Sequence, residues 1–300
     1  MELRQGDVAV VTGAAGGIGR ALAGRLARSG LDVVLADVDE PALGEAAADV
    51  SALGVDTLAV RTDVSDEASV TALARAALER FGAVHVVCNN AGVAGVGDPW
   101  FGPLSSWSWV LGVNLWGVIH GVRAFLPTLA GQGRGHIVNT ASIAGLVPGF
   151  GPIYDATKHA VVALSEDLYA QLRMTGLPLG VSVLCPGWVR TRILDSERNW
   201  PDALGDRPDP APGYEVLAEH VRRAVDEGAQ PALVADLVVA AIEGDRFWVF
   251  PQPEFVELAA RRWHGIAEGL DPEPFVDVPG LPPAGQLREE LLARLSPPAE

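Results

Sequence analysis

The sequence predicts a doubly wound α/β domain, a seven-stranded parallel sheet with helices on both faces. Three observations carry this. Short apolar runs rich in β-branched residues alternate with helical patterns along the chain. The first run passes into a helix through a cluster of glycines. Thr12, Asp37, Asp63, Asn90, Ser142 and Pro186 each follow a run, and ligands of open α/β sheets bind beyond the carboxyl ends of the strands.

In chain order the strand runs are Val8–Val11, Val33–Ala36, Leu58–Val60, Val84–Cys88, His136–Asn139, Val181–Leu184 and Phe247–Phe250. They are almost wholly apolar, as parallel strands covered on both sides should be. Helical patterns fill the intervals at Gly17–Ser29, Pro41–Leu53, Ala68–Phe81, Trp107–Leu129, Tyr154–Thr175 and Pro231–Glu243. Residues 1–250 are expected to form this domain, with a substrate lid at about 188–230, and residues 251–300 an extension packed on the same or a neighbouring subunit. No internal repeat appears beyond the alternation itself. Pro99–Val122 carries no Asp, Glu, Lys or Arg over 24 residues, but two prolines, four glycines, three serines and Asn114 argue against a membrane span.

The first run ends in Thr12 and Gly13, and Gly17 and Gly19 lead into an amphipathic helix. Strand, glycine turn and helix N-terminus together present backbone N–H groups to a pyrophosphate. Glycine is needed where a Cβ would hold the phosphates off the backbone. Asp37 ends the second strand 24 residues after Gly13. There a carboxylate accepts hydrogen bonds from an adenosine ribose and repels a 2′-phosphate, a repulsion to which Asp39 adds, so NAD is expected over NADP.

Tyr154 and Lys158 stand four residues apart in Y-D-A-T-K and share a helix face. A free phenol titrates near about 10, and a fixed cation favours its ionised form. Bringing it to about 7 costs roughly 4 kcal/mol, so a bound cofactor's charge is expected to help.

Six motifs in order, T-G-A-A-G-G-I-G from Thr12, N-N-A-G from Asn89, Asn114 in V-N-L-W-G, Ser142 in A-S-I-A-G, Y-D-A-T-K and P-G-W-V-R-T from Pro186, make the chain resemble the short-chain dehydrogenase/reductase superfamily over about residues 6–250. The resemblance implies a Rossmann-type fold and interconversion of a secondary alcohol and a ketone by hydride transfer. It makes Tyr154 the general acid/base, and Ser142 the hydrogen-bond partner of the substrate oxygen. Lys158 holds the nicotinamide ribose, and Asn114 positions a water in a proton relay. It places Gly13, Gly17, Ile18, Gly19, Asp37, Asp63, Val64, Asn90, Pro186, Gly187, Val189 and Thr191 around the cofactor. Asp63 is equally readable as part of a helix cap. Relatives that use NADP carry a basic residue at the positions held here by Gly16 and Val38. Ser142 lies twelve residues before the tyrosine, where thirteen is commoner. Asp155 is less usual than a small residue, and the helical turn is expected to point its carboxylate away. Homodimers or homotetramers built on the helices at Trp107–Leu129 and Tyr154–Thr175 are further expectations. The stripe Trp109, Val113, Trp116 and His120 reads as interface or as core.

Arg192–Gln230 is rich in Pro, Asp and Ala and too long for a plain connection. Trp188 just before it and Trp200 within it, with Trp100, Phe101 and Phe150 on other loops, give either an apolar pocket for a bulky or aromatic substrate or the packing of a lid. The tail shows a helical pattern at Phe255–Leu270, a proline-rich arm at Asp271–Pro283 and a leucine row, Leu287, Leu291 and Leu295, that needs a partner.

A net charge of −16 speaks against a nucleic-acid partner. Cys88 and Cys185 fall near the ends of the fourth and sixth strands; the sheet order that the resemblance implies puts a fifth strand between them, a separation of about 9.5 Å, too far for a disulfide. Reduced thiols and no visible leader suit the cytoplasm. No Cys/His spacing points to a metal. Two other functions stand beside the dehydrogenase. One is a non-catalytic cofactor-binding sensor or scaffold, although such proteins tend to lose the serine, tyrosine or lysine present here. The other is a sugar-nucleotide epimerase or dehydratase, which shares Y-x-x-x-K.

Overall fold

The computed structural model describes the chain except residues 211–212, 274–275 and 296–300 and the side chain of Leu295. Seven parallel strands form one sheet in the order β3-β2-β1-β4-β5-β6-β7. The strands are β1 Val8–Thr12, β2 Asp32–Asp37, β3 Thr57–Arg61, β4 Val86–Asn89, β5 Gly135–Thr140, β6 Leu179–Leu184 and β7 Trp248–Val249. The order reverses between β1 and β4, which opens a crevice at their carboxyl ends. β7 is shorter than its apolar run because Trp248 and Val249 alone pair with β6. β3 is one of the two edge strands, with β7, and its pattern is only partly buried, unlike the fully buried β1, β5 and β6.

Between strands run α1 Gly17–Arg28, α2 Glu40–Ser51, α3 Glu67–Phe81, α4 Ser105–Leu111, α5 Gly117–Gln132, α6 Pro152–Thr175, α7 Tyr214–Asp226, α8 Pro231–Glu243, α9 Glu254–Glu268 and α10 Ala284–Leu295. Local chemistry sets their ends. The Asp39 carboxylate accepts from the Ala42 amide at 3.2 Å to start α2, and Asp66 accepts from Ala68 and Ser69 to start α3. Gly82, Gly133 and Gly176 close α3, α5 and α6 in the left-handed conformation.

Alternation along the strands feeds two cores. Ala9, Val11, Val33 and Leu35 face α1 and α8, where Leu22 and Leu26 are fully buried. Each such leucine is worth about 1.5–3 kcal/mol. Val8, Val10, Val34 and Ala36 face the opposite layer with Leu73, Phe125 and Leu172.

Four sequence expectations change. The long helix expected at Trp107–Leu129 is two helices joined by a π-helical segment, Gly112–Trp116. The run Ser105–Gln132 is long and apolar enough to cross a membrane by length and composition, yet Val118, Phe125 and Leu129 on it lie in the cores. The segment expected to be a lid contains a whole helix, α7, which a Pro- and Asp-rich flank hid. Asp155 does not point away, as described below. The stripe divides: Trp109 is buried, His120 gives its Nδ1 to the Val64 carbonyl at 2.9 Å, and Trp116 is 51% exposed. Cys88 and Cys185 are free and buried, with β5 between their strands.

The tail packs on its own chain. Phe255, Leu258 and Ala259 of α9 join Ala141, Ile143 and Val161 in one cluster. Leu287 of α10 is buried, and Glu290 meets His220 of α7 at 3.0 Å.

Candidate active site

A crevice of about 1530 Å³ runs across the carboxyl ends of the strands, and it joins the glycine turn to the lid. At the first end the wall is main chain. Gly13 and Gly17 have φ of +67° and +53°, a region costly for other residues. A Cβ on Gly13 would stand 2.8 Å from Ala91 Cα, and one on Gly19 would stand 2.0 Å from the Gly13 carbonyl oxygen. Gly17 rests on the methyl of Thr191, and Gly16, at φ −159°, has nothing within 4 Å of its missing Cβ. Because Gly16 is itself a glycine, the string also fits T-G-x-x-G-x-x-G, the spacing of the epimerase branch. Within this turn the tight positions are Gly13, Gly17 and Gly19, while Gly16 is open.

Asn90 ties this turn together. Its amide donates to Thr12 Oγ1 at 2.9 Å, its Nδ2 donates to the Thr12 carbonyl at 3.0 Å, and its Oδ1 accepts from Thr140 at 3.3 Å. Asp37 lies on the rim and accepts from the Ala15 amide at 3.0 Å and the Asp39 amide at 3.1 Å. Two cations also border this end, but each has an acidic partner: Arg20 with Asp49 at 2.5 Å and Arg61 with Glu40 at 3.9 Å. Asp63 Oδ1 accepts from the Ser65 amide and hydroxyl at 2.9 and 2.6 Å, which keeps it in the turn before α3. It and Val64 still line the crevice, as does Ile18.

Ser142, Tyr154 and Lys158 converge mid-crevice. Ser142 follows β5, where its Oγ donates to the Pro186 carbonyl at 3.3 Å and accepts from the Ala144 amide at 3.1 Å. Tyr154 and Lys158 lie one turn apart on α6, with the ammonium 5.5 Å from the phenol ring centroid. Lys158 is buried, and its Nζ donates to the Thr140 carbonyl at 3.0 Å. Burial pushes its pKa down to about 8, opposed by Cys185. Burial likewise pushes the Tyr154 phenol up to about 12, with hydrogen bonding to Ser142 lowering it and the Asp155 charge raising it. The chain alone therefore does not depress the phenol: loss of water around it outweighs the Ser142 hydrogen bond.

Asn114 sits in the π segment, the kind of irregularity that often marks functional positions. Its Oδ1 accepts from the Val93 amide at 2.8 Å and its Nδ2 donates to the Val93 carbonyl at 3.0 Å and to Thr157 at 3.3 Å. Gly92 leaves room beside it: a Cβ there would be 3.5 Å from Asn114 Oδ1 and 3.7 Å from Lys158 Nζ.

The far end is walled by side chains. Phe150 lies 5.5 Å from Trp188, and Trp200 meets buried Trp109 edge-on at 5.1 Å. Trp188 Nε1 donates to the Pro279 carbonyl at 2.7 Å, so the arm reaches this wall, and Val278 and Leu281 line it. Trp100 does not belong here. It is 70% exposed, leans on Trp107, and is absent from the lining, as is Phe101 at 94% exposure. A loop tip held by the Asp98 carboxylate, which accepts from both their amides, turns them outward.

Pro186, Gly187, Val189 and Thr191 lie at the junction. Gln252 accepts from the Gly187 amide at 3.0 Å and donates to the Trp188 carbonyl. The Ala229 amide donates to the Trp188 carbonyl at 3.0 Å and the Arg190 amide to the Ala229 carbonyl at 3.0 Å, so both ends of the lid are pinned together. Sequence reasoning missed Leu217, Val221 and Val225 of α7, all in the lining. Their four-residue spacing is a helical stripe that was there to be read.

The chain belongs to the short-chain dehydrogenase family, whose sequence profile matches residues 7–202. It is 43% identical over 250 residues to 1-deoxy-11-beta-hydroxypentalenate dehydrogenase of Streptomyces exfoliatus, covering 82% of this chain and 83% of that one. It is 33% identical over 261 residues to a CLA biosynthesis dehydrogenase/reductase of Lactiplantibacillus plantarum, covering 85% and 91%. A short-chain dehydrogenase/reductase from Burkholderia phymatum, solved in complex with NAD, superposes with a TM-score of 0.89 at 44% identity, covering 93% of this chain and 100% of that one.

Proposed function

We propose that the protein is an NAD-dependent oxidoreductase interconverting a secondary alcohol and a ketone, with a bulky, largely apolar or aromatic substrate. The observation that carries this reading is the convergence of Ser142, Tyr154 and Lys158 where a glycine-built crevice meets an aromatic pocket. The glycine turn fits a dinucleotide: close packing at Gly13, Gly17 and Gly19 brings bare main chain to the crevice. The NAD found in the Burkholderia relative supports the cofactor. The Asp37 carboxylate on the rim, and rim arginines already paired with acids, favour NAD over NADP. The Streptomyces relatives, named as dehydrogenases of a hydroxypentalenate, support an alcohol carbon as the reacting centre.

When bound, the dinucleotide supplies the hydride acceptor or donor. Tyr154 moves the proton at the substrate oxygen. In reduction its neutral phenol donates, and in oxidation its phenolate accepts. Ser142 orients that oxygen and stabilises charge developing on it. Lys158, with a pKa near 8, stays mostly charged at neutral pH and favours the phenolate. Asn114 fixes the main chain at Val93 beside the ammonium, where a relay to solvent would start. Phe150, Trp188 and Trp200 exclude water and hold the apolar part of the substrate. We also infer a homodimer or homotetramer, with half-exposed Trp116 on its contact face.

A panel of secondary alcohols with NAD and with NADP, followed at the reduced-nicotinamide absorbance, tests this reading. NAD-linked turnover of ring-bearing alcohols is the expected outcome. Tight NAD binding without turnover across the panel would favour a non-catalytic sensor, and a preference for NADP would contradict the role of Asp37.

A further inference from the structure

Directly after the tyrosine, Asp155 is a buried acid with no cation. It is 8% exposed, and among the described residues no ion pair reaches it. Its carboxylate folds back over the start of α6 instead. Oδ2 accepts from the Gly149 amide at 2.8 Å, and both oxygens accept from the Phe150 amide at 3.2 and 3.3 Å. The Asp155 amide in turn donates to the Gly151 carbonyl at 2.8 Å. The loop so gathered has glycines on either side of Phe150, at φ +127° and +124°. Such glycines give the free loop many alternatives, so something must select this one. Charge-assisted bonds to a carboxylate are the strongest main-chain anchor available.

We propose that Asp155 is a positioning residue for substrate recognition: by binding the Gly149 and Phe150 amides it holds the Phe150 ring against Trp188 and thereby fixes the apolar wall next to Tyr154. That the wall meets substrate rests on the oxidoreductase reading above; that Asp155 orders the loop does not.

The surroundings make the anchor sensitive to acid. Burial pushes the Asp155 carboxyl up to about 6, opposed by the Gly149, Phe150 and Gly151 amides. The titratable or charged groups nearby are Tyr154, His159, whose Nδ1 meets the Asp155 main-chain carbonyl at 2.9 Å, and Arg262, which donates to the Leu146 carbonyl at 3.0 Å. The anchor is strongest when the carboxyl is ionised and weakens as pH falls through that range.

The test compares wild type, Asp155→Ala and the isosteric Asp155→Asn by hydrogen exchange of the Gly149 and Phe150 amides, by NAD titration, and by kcat and KM on the best alcohol of the panel. In Asp155→Ala the two amides should exchange about tenfold faster or more and KM should rise about fivefold or more, with NAD affinity changed by less than about twofold. Asp155→Asn, which keeps one acceptor oxygen, should fall between. In wild type, protection corrected for intrinsic exchange should fall on acidification, and that fall should vanish in Asp155→Asn. Unchanged exchange in both variants would overturn the anchor, even if no alcohol is turned over. Faster exchange with an unchanged KM would overturn the role in recognition while leaving the oxidoreductase reading intact. If Asp155→Ala does not fold, Asp155→Asn alone decides on the same readouts.

Discussion

At the glycine end of the crevice the chain offers main chain: Gly13 packed on Ala91, Gly19 on the Gly13 carbonyl, and Asn90 binding both ends of Thr12. At the lid end it offers side chains from five separate places, Ile153, Phe150, Trp188, Trp200 and the arm at Val278 and Leu281. The first end is set by backbone geometry within the core of the sheet and tolerates almost no added atom. The second is assembled by loops, a helix and the tail, outside the strands themselves. A fold of this kind keeps one cofactor site and varies its substrate by varying the other end.

The difference can be broken or sharpened by substitution. Tyr154→Phe lies at the junction and should have the largest effect, a fall in kcat of about 10²–10⁴-fold with NAD affinity nearly unchanged, as read by steady-state kinetics beside a binding titration. In wild type, oxidation requires the phenolate, so its kcat/KM should rise with pH, while reduction requires the phenol and should fall as that proton is lost. A flat profile in both directions would remove Tyr154 from the proton path.

Gly19→Ala should come next. Its methyl would sit 2.0 Å from the Gly13 carbonyl oxygen, so the turn must move. NAD affinity should drop by about 100-fold, whereas Gly16→Ala, with nothing within 4 Å, should leave thermal stability unchanged. Asp37→Ala should lower the ratio of kcat/KM for NAD over NADP by about tenfold or more. At the lid end, Trp188→Ala should cost about tenfold in kcat/KM for a bulky alcohol while NAD affinity holds. Trp100→Ala should change neither by more than about twofold. A loss of NAD affinity in Trp188→Ala would mean the two ends are not separable.

The same contrast explains what the sequence disclosed. The strand runs and the glycine turn were legible because backbone demands write themselves as glycines and short apolar runs, and the placement of Asp37, Ser142, Tyr154 and Lys158 was legible from motif spacing along those runs. Phe150, Trp188 and Trp200 were legible only as aromatics on loops at one edge, and the same reasoning wrongly included Trp100. What distinguishes Trp100 is the Asp98 turn two residues before it, whose carboxylate takes the Trp100 and Phe101 amides and faces both rings outward. Helix α7 was hidden by its acidic, proline-rich flank, although Leu217, Val221 and Val225 mark its inner face. Spacing shows that an ammonium lies near Tyr154 and that further charge is needed to ionise the phenol, but not how much water the fold removes around both groups. Asp155 was judged from the helical turn alone, which ignores that a carboxylate near a helix start can reach back to the loop before it.

The most direct measurement follows the hydrogen itself. Secondary alcohols deuterated at the carbinol carbon would be incubated with the protein and NAD, and the reduced nicotinamide analysed by mass spectrometry. Deuterium in the nicotinamide ring, transferred by wild type and not by Tyr154→Phe, is the predicted result. Bound NAD that stays unlabelled across ring-bearing alcohols, or equal labelling by both proteins, would contradict it.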